Sequence, residues 1–130
     1  MSVRIGVVSV VGGLALSATM ASFAHHSQSE FDSQASVEVK GTLTELVWKS
    51  PHAWIYMDVV GDDGEVTTWG FELPSPTTLM RRGWSRKSIV PGDLITVTGA
   101  PARNHAAIGL ARTVRDTDGN GIFTGITDVN

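Results

Sequence analysis

Apolar and polar residues alternate through much of the chain beyond residue 36, and this pattern predicts short β-strands. Over residues 37–45, the positions of Val37, Val39, Gly41, Leu43 and Glu45 alternate with those of Glu38, Lys40, Thr42 and Thr44, and all but Glu45 of the first set are non-polar. This pattern is typical of a strand with one buried face. Gly41 within this strand predicts a bulge or a sharp bend, as a small barrel requires. Residues 53–60 are almost entirely apolar, and a turn at Gly61-Asp62-Asp63-Gly64 leads into a return strand over residues 65–73.

The second half of the pattern predicts one short helix and two further strands. Ser75 as an N-cap, Pro76 at the first helical position and Gly83 as a stop predict a helix over about 75–82. The last strands are expected over residues 94–99 and 107–114. The resulting order is β-β-β-α-β-β, so we predict an all-β domain with one short helix, a small five-stranded barrel of the OB-fold type.

The first 24 residues have the three-part pattern of a secretory signal peptide. Arg4 supplies a positive charge, an apolar stretch follows, and small residues precede a cleavage site after Ala24. A transmembrane anchor is the alternative, but the apolar run is shorter than the roughly 20 residues that a spanning helix needs. We therefore predict export to a bacterial periplasm, with no transmembrane segment after cleavage.

The remaining chain divides into three parts. Residues 25–36 are polar and lack periodicity, which predicts a flexible N-terminal arm. The barrel domain is expected over residues 37–115, and residues 116–130 form a polar C-terminal tail. The length of 130 residues suits this single-domain organisation.

Charge and composition exclude several functions. The formal net charge of -3 argues against a general nucleic-acid binder, which carries a basic excess. The chain contains no cysteine, which excludes disulfides, cysteine-ligated zinc, iron–sulfur clusters and thiol nucleophiles. It also lacks the motifs of nucleophile elbows, phosphate loops and dinucleotide sites. We therefore predict that the protein is not an enzyme.

Short motifs are spread over almost the whole mature chain. They are His25-His26-Ser27, Phe31-Asp32, Gly41, Trp48 with Pro51-His52, Trp69, Leu73-Pro74-Ser75-Pro76, Arg82-Gly83-Trp84 and Pro91-Gly92-Asp93. In this combination the chain resembles a family of small exported bacterial proteins classed as a domain of unknown function. The resemblance implies a periplasmic, single-domain β protein and implies no reaction, because that family has no established activity.

Aromatic residues on the predicted hairpin suggest a binding surface. A four-residue loop places Tyr56 opposite Trp69 and Trp54 opposite Phe71, with all four rings on one face of the sheet. OB folds use aromatic platforms on these strands to stack bases or sugars. The alternative is that the four rings form the core, because aromatic side chains bury much area.

Histidines supply the second group of candidate site residues. His52 and His105 are expected in the two loops that flank the ligand face of an OB fold. Cleavage after residue 24 makes His25 the mature N-terminus, and its amino and imidazole nitrogens then suit Cu(II). His26, His52 or His105 could add a further nitrogen. The alternative is that His25 and His26 begin a polar arm and that His52 bonds only to backbone.

These observations lead to one functional hypothesis and one alternative. We expect a periplasmic binding or accessory module, whose ligand surface combines the face of strands 2 and 3 with the His52 and His105 loops. Its partner is an unknown small ligand or periplasmic protein, and no cofactor is certain. The alternative is a copper-binding protein that uses the mature N-terminal histidine.

Two weaker patterns remain. Arg81, Arg82, Arg86 and Lys87 form a basic cluster that could meet an anionic partner or lie in solvent at a helix end. The segment Asp116–Gly121 resembles the start of a calcium loop but lacks the acidic residue at position 12, so a polar turn is the main interpretation.

Overall fold

A computed structural model describes residues 28–124 of the chain. The predicted signal peptide over residues 1–24, with His25 and His26, lies outside the described residues. Short strands and one helix make up the described part, which confirms the predicted all-β class. In chain order the elements are a 3-10 helix at Gln28–Glu30, β1 at Val37–Val47, β2 at Trp54–Val60, β3 at Val66–Glu72, α1 at Pro76–Arg81, β4 at Leu94–Pro101, β5 at Ile108–Arg115 and β6 at Gly121–Thr124.

Five strands close into a barrel because β1 is long enough to pair with two neighbours. Its residues 37–42 pair with β4, and its residues 42–47 pair with β2. β2 pairs with β3, and β3 pairs in parallel with β5 over Gly70–Glu72. The pairing of β5 with β4 completes the circuit. The closed barrel, with α1 between β3 and β4, confirms the predicted OB-type architecture.

Alternate side chains of the strands fill the barrel interior. Ile55, Met57 and Phe71 from the hairpin are fully buried there, together with residues of the other strands. The helix contributes Leu79, and the turn after it contributes Trp84, whose indole nitrogen donates to the carbonyl of Ile122. Apolar side chains thus enter the core from both the barrel and its helix.

The helix forms where the sequence predicts it. The hydroxyl oxygen of Ser75 accepts a hydrogen bond from the backbone nitrogen of Thr78 at 3.3 Å, and Pro76 occupies the first helical position. Gly83 follows with a φ of +85°, a left-handed conformation that favours glycine. The N-cap, the first turn and the stop are therefore all set locally.

Gly41 has a different role from the predicted bulge. A Cβ atom at this position would lie 2.3 Å from the carbonyl oxygen of Asp58. Glycine is needed because the backbones of β1 and β2 approach closely here, where β1 changes partner. The register shift of β1 against β2 occurs between Leu43 and Glu45.

The loop of the β2–β3 hairpin has five residues rather than the four assumed from sequence. Val60 pairs with Val66, and the nitrogen of Gly61 donates to the carbonyl of Glu65 at 2.8 Å. Gly64 has a φ of +82°, which suits the left-handed position of a bulged hairpin turn. The extra residue moves β3 by one position along β2.

That shift corrects the predicted pairing of the aromatic residues. Tyr56 lies opposite Gly70 rather than Trp69, and Trp54 lies opposite Glu72 rather than Phe71. A one-residue change of register places the side chains of a strand on the other face of the sheet. The prediction that four aromatic rings share one face is therefore wrong, and the rings divide into an inner and an outer pair.

Both ends of the described chain pack against the barrel. Phe31, in the predicted flexible arm, is buried and forms a β-bridge with Ala102. The predicted polar tail includes β6, which pairs with β5 and buries Phe123. The compositions of these segments are polar, but each places one phenylalanine in an apolar cluster and adds backbone hydrogen bonds to the barrel.

Candidate functional site

An imidazole and a buried carboxylate meet at one end of the hairpin. Glu72, the last residue of β3, is only 4% exposed, and an oxygen of its carboxylate contacts Nδ1 of His52. His52 lies two residues before the start of β2. Backbone hydrogen bonds from Ala53 to Pro74 and from Leu73 to Ala53 hold the two segments together. The pair is therefore positioned by the barrel backbone.

The contact with Glu72 sets the orientation of the His52 ring. A carboxylate at Nδ1 selects the imidazole tautomer that carries its proton on this nitrogen. In the neutral ring, Nε2 then keeps its lone pair for a ligand. The His52 side chain is partly exposed, so this nitrogen belongs to a group that solutes can reach.

A depression of about 660 Å³ opens beside this pair, and we call it the His52 cleft. Its walls come from the β1–β2 loop, the β4–β5 loop, the hairpin and the N-terminal arm. The lining residues are Glu30, Phe31, Pro51, His52, Trp54, Glu72, Ala102, Arg103, Asn104 and Ile108. The volume lies within the usual range for small-molecule sites, and the walls combine apolar surface with a few polar groups, as such sites do.

The N-terminal arm forms one wall of the cleft. The nitrogen of Asp32 donates to Pro101 at 2.9 Å, and the nitrogen of Arg103 donates to Glu30 at 2.9 Å. The guanidinium of Arg112 donates to the carbonyls of Ser33 at 2.7 Å and Ala35 at 3.1 Å. Because these bonds involve backbone atoms of the arm, they hold its path over the barrel rather than single side chains.

Phe31 stands between the His52 cleft and a second depression. That second space measures about 710 Å³ and shares Phe31, Pro51, His52 and Glu72 with the first. The Phe31 ring packs with Ala100, Ala102 and Leu110. The arm therefore separates two hollows that meet at the His52–Glu72 pair.

An aromatic pair continues the cleft along the outer face of β2. The rings of Trp54 and Tyr56 are half-buried, with centroids 6.2 Å apart and planes at 14°. A Cβ atom at Gly70 would lie 3.1 Å from Cε1 of Tyr56, so the ring of Tyr56 lies over a strand position without a side chain. This pair gives the hairpin a flat apolar surface that ends at the cleft.

The predicted binding residues lie in three different environments: the cleft, the core and an exposed loop. His52 and Trp54 line the cleft, and Tyr56 adjoins it. Phe71 is fully buried and Trp69 packs against the same core, so these two lie on the inner face. His105 is exposed at a φ of +60° in the β4–β5 loop, where Arg103 and Asn104 supply the cleft wall instead.

Among the described residues, no other predicted metal ligand lines the cleft with His52. Within residues 28–124, no group of three or more His, Asp or Glu side chains is arranged to hold a metal ion. His105 does not line the cleft with His52, and His25 and His26 lie outside the described residues.

Of the ten residues that line the cleft, only His52 and Trp54 were predicted as site residues from the sequence. Glu72 and Phe31 carry a usable signal, because each interrupts the polarity of its surroundings: a carboxylate between Phe71 and Leu73, and a ring within a polar arm. Arg103 and Asn104 give no such signal. Loop residues of this kind become part of a site only through the path of the backbone.

The turn between β5 and β6 is closed by its own first residue. Oδ1 of Asp116 accepts hydrogen bonds from the nitrogens of Asp118 and Asn120, both at 2.9 Å. The hydrogen bond from the Asn120 side chain, and then those from backbone amides, hold the pKa of Asp116 below its usual value. The carboxylate of Asp116 therefore organises the turn, as the polar-turn interpretation expects.

The barrel topology and the position of the cleft together define a small OB-type protein. The cleft lies between the β1–β2 and β4–β5 loops, where folds of this class hold their ligands. The chain belongs to a family described as a family of unknown function (DUF6152), which matches residues 14–112. No curated protein and no solved structure matches the chain significantly. Among the described residues, no helix has the length and apolarity needed to cross a membrane.

Proposed function

We propose that this protein is an exported, non-enzymatic binding module of the bacterial periplasm and that it holds a small amphipathic ligand in the His52 cleft. The observation that carries the proposal is the His52–Glu72 pair at the mouth of this cleft. Burying a carboxylate is costly unless other groups compensate for its lost hydration. A barrel of this size needs no such group for its core, so a role in recognition explains its presence.

The chemistry of the walls supports a ligand with both apolar and polar surfaces. Trp54 and Ile108 offer apolar contacts, whereas His52, Arg103 and Asn104 offer hydrogen-bonding groups. Aromatic rings bury large areas at little cost in conformational freedom. A few fixed polar groups then set the orientation of the ligand.

The proposal is tested by mapping a library of small amphipathic fragments onto the ¹⁵N-labelled protein by chemical-shift perturbation. We expect the binding fragments to shift the amides of the cleft and the indole of Trp54. For these fragments, His52→Ala should weaken binding by about tenfold or more, as for an anchor residue of an interface. The melting temperature should change little.

His105→Ala is the matched control, because it removes an exposed histidine from the neighbouring loop without touching the cleft. It should leave fragment binding unchanged. Fragments that map elsewhere, or that bind equally to the wild type and to His52→Ala, would contradict the proposed site.

We propose copper binding as the second candidate, and the orientation of His52 is the observation that favours it. Imidazoles that ligate metals usually donate their other ring nitrogen to a carboxylate or carbonyl, as Nδ1 of His52 does to Glu72. Glu30 of the arm lines the same cleft and follows His26 by four residues. A fully extended chain of that length reaches about 14 Å.

A titration with Cu(II) tests this candidate on the exported protein after its N-terminus has been determined by mass spectrometry. We expect a mature chain that begins at His25 and one tightly bound Cu(II) whose electron paramagnetic resonance spectrum shows coupling to nitrogen. His52→Ala should lower the affinity, and His105→Ala should not. A mature chain that begins at Ser27 or later, or binding that ignores His52, would rule out this arrangement.

A further inference from the structure

Charge is distributed very unevenly along this chain. Residues 73–92 contain four basic side chains and no acidic one, whereas all 13 acidic residues and the other six basic residues lie elsewhere. Separated charge of this kind creates surface potentials that attract and orient partners of opposite sign. The positive segment consists of α1 and the turns that lead to β4.

One cluster of negative charge lies at the tip of the β2–β3 hairpin. Asp62, Asp63 and Glu65 are exposed there, next to the cross-strand pair of Val60 and Val66. These two valines are 68% and 59% exposed. We call residues 60–66 the acidic tip, and it combines two aliphatic side chains with three carboxylates.

The positive segment also combines exposed apolar side chains with charged ones, and here the charges are positive. Arg81, Arg86 and Lys87 are exposed, and so are Met80 at 55% and Val90 at 46%. Arg82 lies beside them with its guanidinium 5.8 Å from the ring centroid of Phe123. We call residues 80–90 the basic face.

The two patches do not neutralise each other within one molecule. In the part of the chain that the structure describes, no salt bridge involves Asp62, Asp63, Glu65, Arg81, Arg86 or Lys87. The acidic tip lies at the start of β3, and α1 begins four residues after that strand ends. A seven-residue strand spans roughly 20 Å, which is well beyond the reach of a salt bridge.

We propose that the acidic tip of one molecule docks on the basic face of a second copy of this chain. Each patch presents two exposed apolar side chains next to several charges of one sign, so the contact would bury apolar surface and pair opposite charges together. The Asp93 carboxylate at the edge of the basic face is engaged by the backbone nitrogen of Val90 at 2.8 Å and leaves the four basic side chains in excess. Because one molecule carries the two halves at different places, the contact is heterologous. Such contacts build head-to-tail chains or closed rings rather than two-fold dimers.

An anionic bilayer is the other partner that suits a basic patch with exposed apolar residues. It would engage the basic face only, and the acidic tip would repel it. A second copy accounts for both patches and for four of the six large hydrophobic side chains that are most exposed in the described residues. The charge pattern therefore favours self-association.

Charge reversal in two separate variants tests the contact. Asp62→Lys with Glu65→Lys reverses the tip, and Arg86→Glu with Lys87→Glu reverses the basic face. All four positions are exposed, and circular dichroism should confirm an unchanged fold. Sedimentation velocity then measures association at low ionic strength and at about 0.5 M salt, where the screening length is only a few ångströms.

We expect the wild type to associate with rising concentration in low salt and to return to the monomer at high salt. Each variant alone should associate at least about tenfold more weakly, because its two patches carry like charges. An equimolar mixture of the two variants should associate again, since each reversed patch then meets one of opposite sign.

Several results would overturn the proposal. They are a wild type that stays monomeric at all concentrations, association that survives charge reversal or high salt, and a mixture of variants that stays monomeric. Binding of a monomeric wild type to phosphatidylglycerol vesicles, lost when the basic face is reversed, would assign this face to a membrane surface instead.

Discussion

The β2–β3 hairpin carries two stacked aromatic pairs of almost identical geometry, and they lie on opposite faces of the same sheet. Trp69 and Phe71 have ring centroids 5.6 Å apart with planes at 15°, and Trp54 and Tyr56 have centroids 6.2 Å apart with planes at 14°. The first pair belongs to the barrel core, whereas the second extends the His52 cleft. Residue type and spacing are thus equivalent in both pairs, and only the face of the strand decides whether a pair stabilises the fold or is available to a ligand.

The largest expected contrast is between Phe71→Ala and Trp54→Ala. Phe71 is fully buried, so its truncation removes apolar contacts and leaves a cavity, which should lower the free energy of unfolding by about 3–5 kcal/mol. Trp54 is half-buried, and its truncation should cost only about 1 kcal/mol. Urea unfolding of both variants measures the difference. Equal losses would mean that the outer pair is also part of the core.

Two glycines that contact these rings provide a second contrast. A methyl group added at each position tests how tightly the inner and the outer pair are packed. A Cβ atom at Gly109 would lie 2.7 Å from Cε1 of Phe71, whose ring is closely packed in the barrel core. Gly109→Ala should therefore destabilise by about 1–3 kcal/mol. At Gly70 the added atom would meet Cε1 of Tyr56 at 3.1 Å, and this ring can move towards solvent.

Gly70→Ala should accordingly cost less than about 1 kcal/mol, as for other substitutions near a surface. Thermal unfolding of the two variants, followed by circular dichroism, gives the comparison. A larger loss from Gly70→Ala than from Gly109→Ala would show that the outer pair is held more rigidly than the inner one.

Glu72 provides a third contrast, because it lies on the outer face with Trp54 and is nevertheless buried. Glu72→Gln removes the charge that faces His52 and should lower the free energy of unfolding by about 1–2 kcal/mol. This is less than the roughly 1.5–3 kcal/mol of a complete hydrogen bond with a charged partner, because the amide oxygen of Gln can still accept from Nδ1. Glu45→Gln is the matched control, since Glu45 lies opposite Tyr56 on the same face and is exposed. It should leave stability unchanged in chemical denaturation. An equal effect of the two substitutions would remove the special role of Glu72.

The smallest expected effect lies outside the hairpin, in the turn between β5 and β6. Asn120→Ala removes the side-chain hydrogen bond to Asp116 and should raise the pKa of Asp116 towards its usual value of 3.8. Because this pKa is lowered in the folded protein, the stabilising contribution of Asp116 is complete above its unfolded value. It is lost as the pH falls through the folded value.

Carboxyl ¹³C titration by nuclear magnetic resonance follows the Asp116 pKa directly in both proteins. Both aromatic pairs should be unaffected by Asn120→Ala, which the ring proton shifts report. An Asp116 pKa that does not respond to the substitution would assign the shift to the backbone amides alone.

The first five strands and the helix could be predicted from sequence because their signals are local, whereas β6 lies in the segment predicted to be a polar tail. The N-cap Ser75, the following Pro76 and the left-handed Gly83 act within one turn of chain. Strand alternation likewise reports the buried face of β1 directly. His52 was predicted beside the hairpin face from its place in the β1–β2 loop, and Trp54 from the aromatic platform of strands 2 and 3. His105 was predicted there from its loop in the same way, but it does not line the cleft.

The hairpin register could not be predicted in the same way. A Gly-Asp-Asp-Gly sequence fits a loop of four residues and also the five-residue loop that forms, in which Gly61 donates a hydrogen bond to Glu65. That single residue decides which aromatic rings enter the core. Which loop forms depends on how well the whole hairpin packs, since Phe71 and Met57 must both point into the barrel.

Local periodicity and turn chemistry were enough to predict the first five strands, the helix with its caps and the position of His52 in the β1–β2 loop. Three features follow from tertiary packing: Glu72 meets His52, Phe31 lies between the two depressions, and Trp69 and Phe71 belong to the core. These contacts join segments that are far apart in the chain, and they form because closing the barrel brings their backbones together. Local patterns contain no information about such distances, so the site emerges only when the fold is complete.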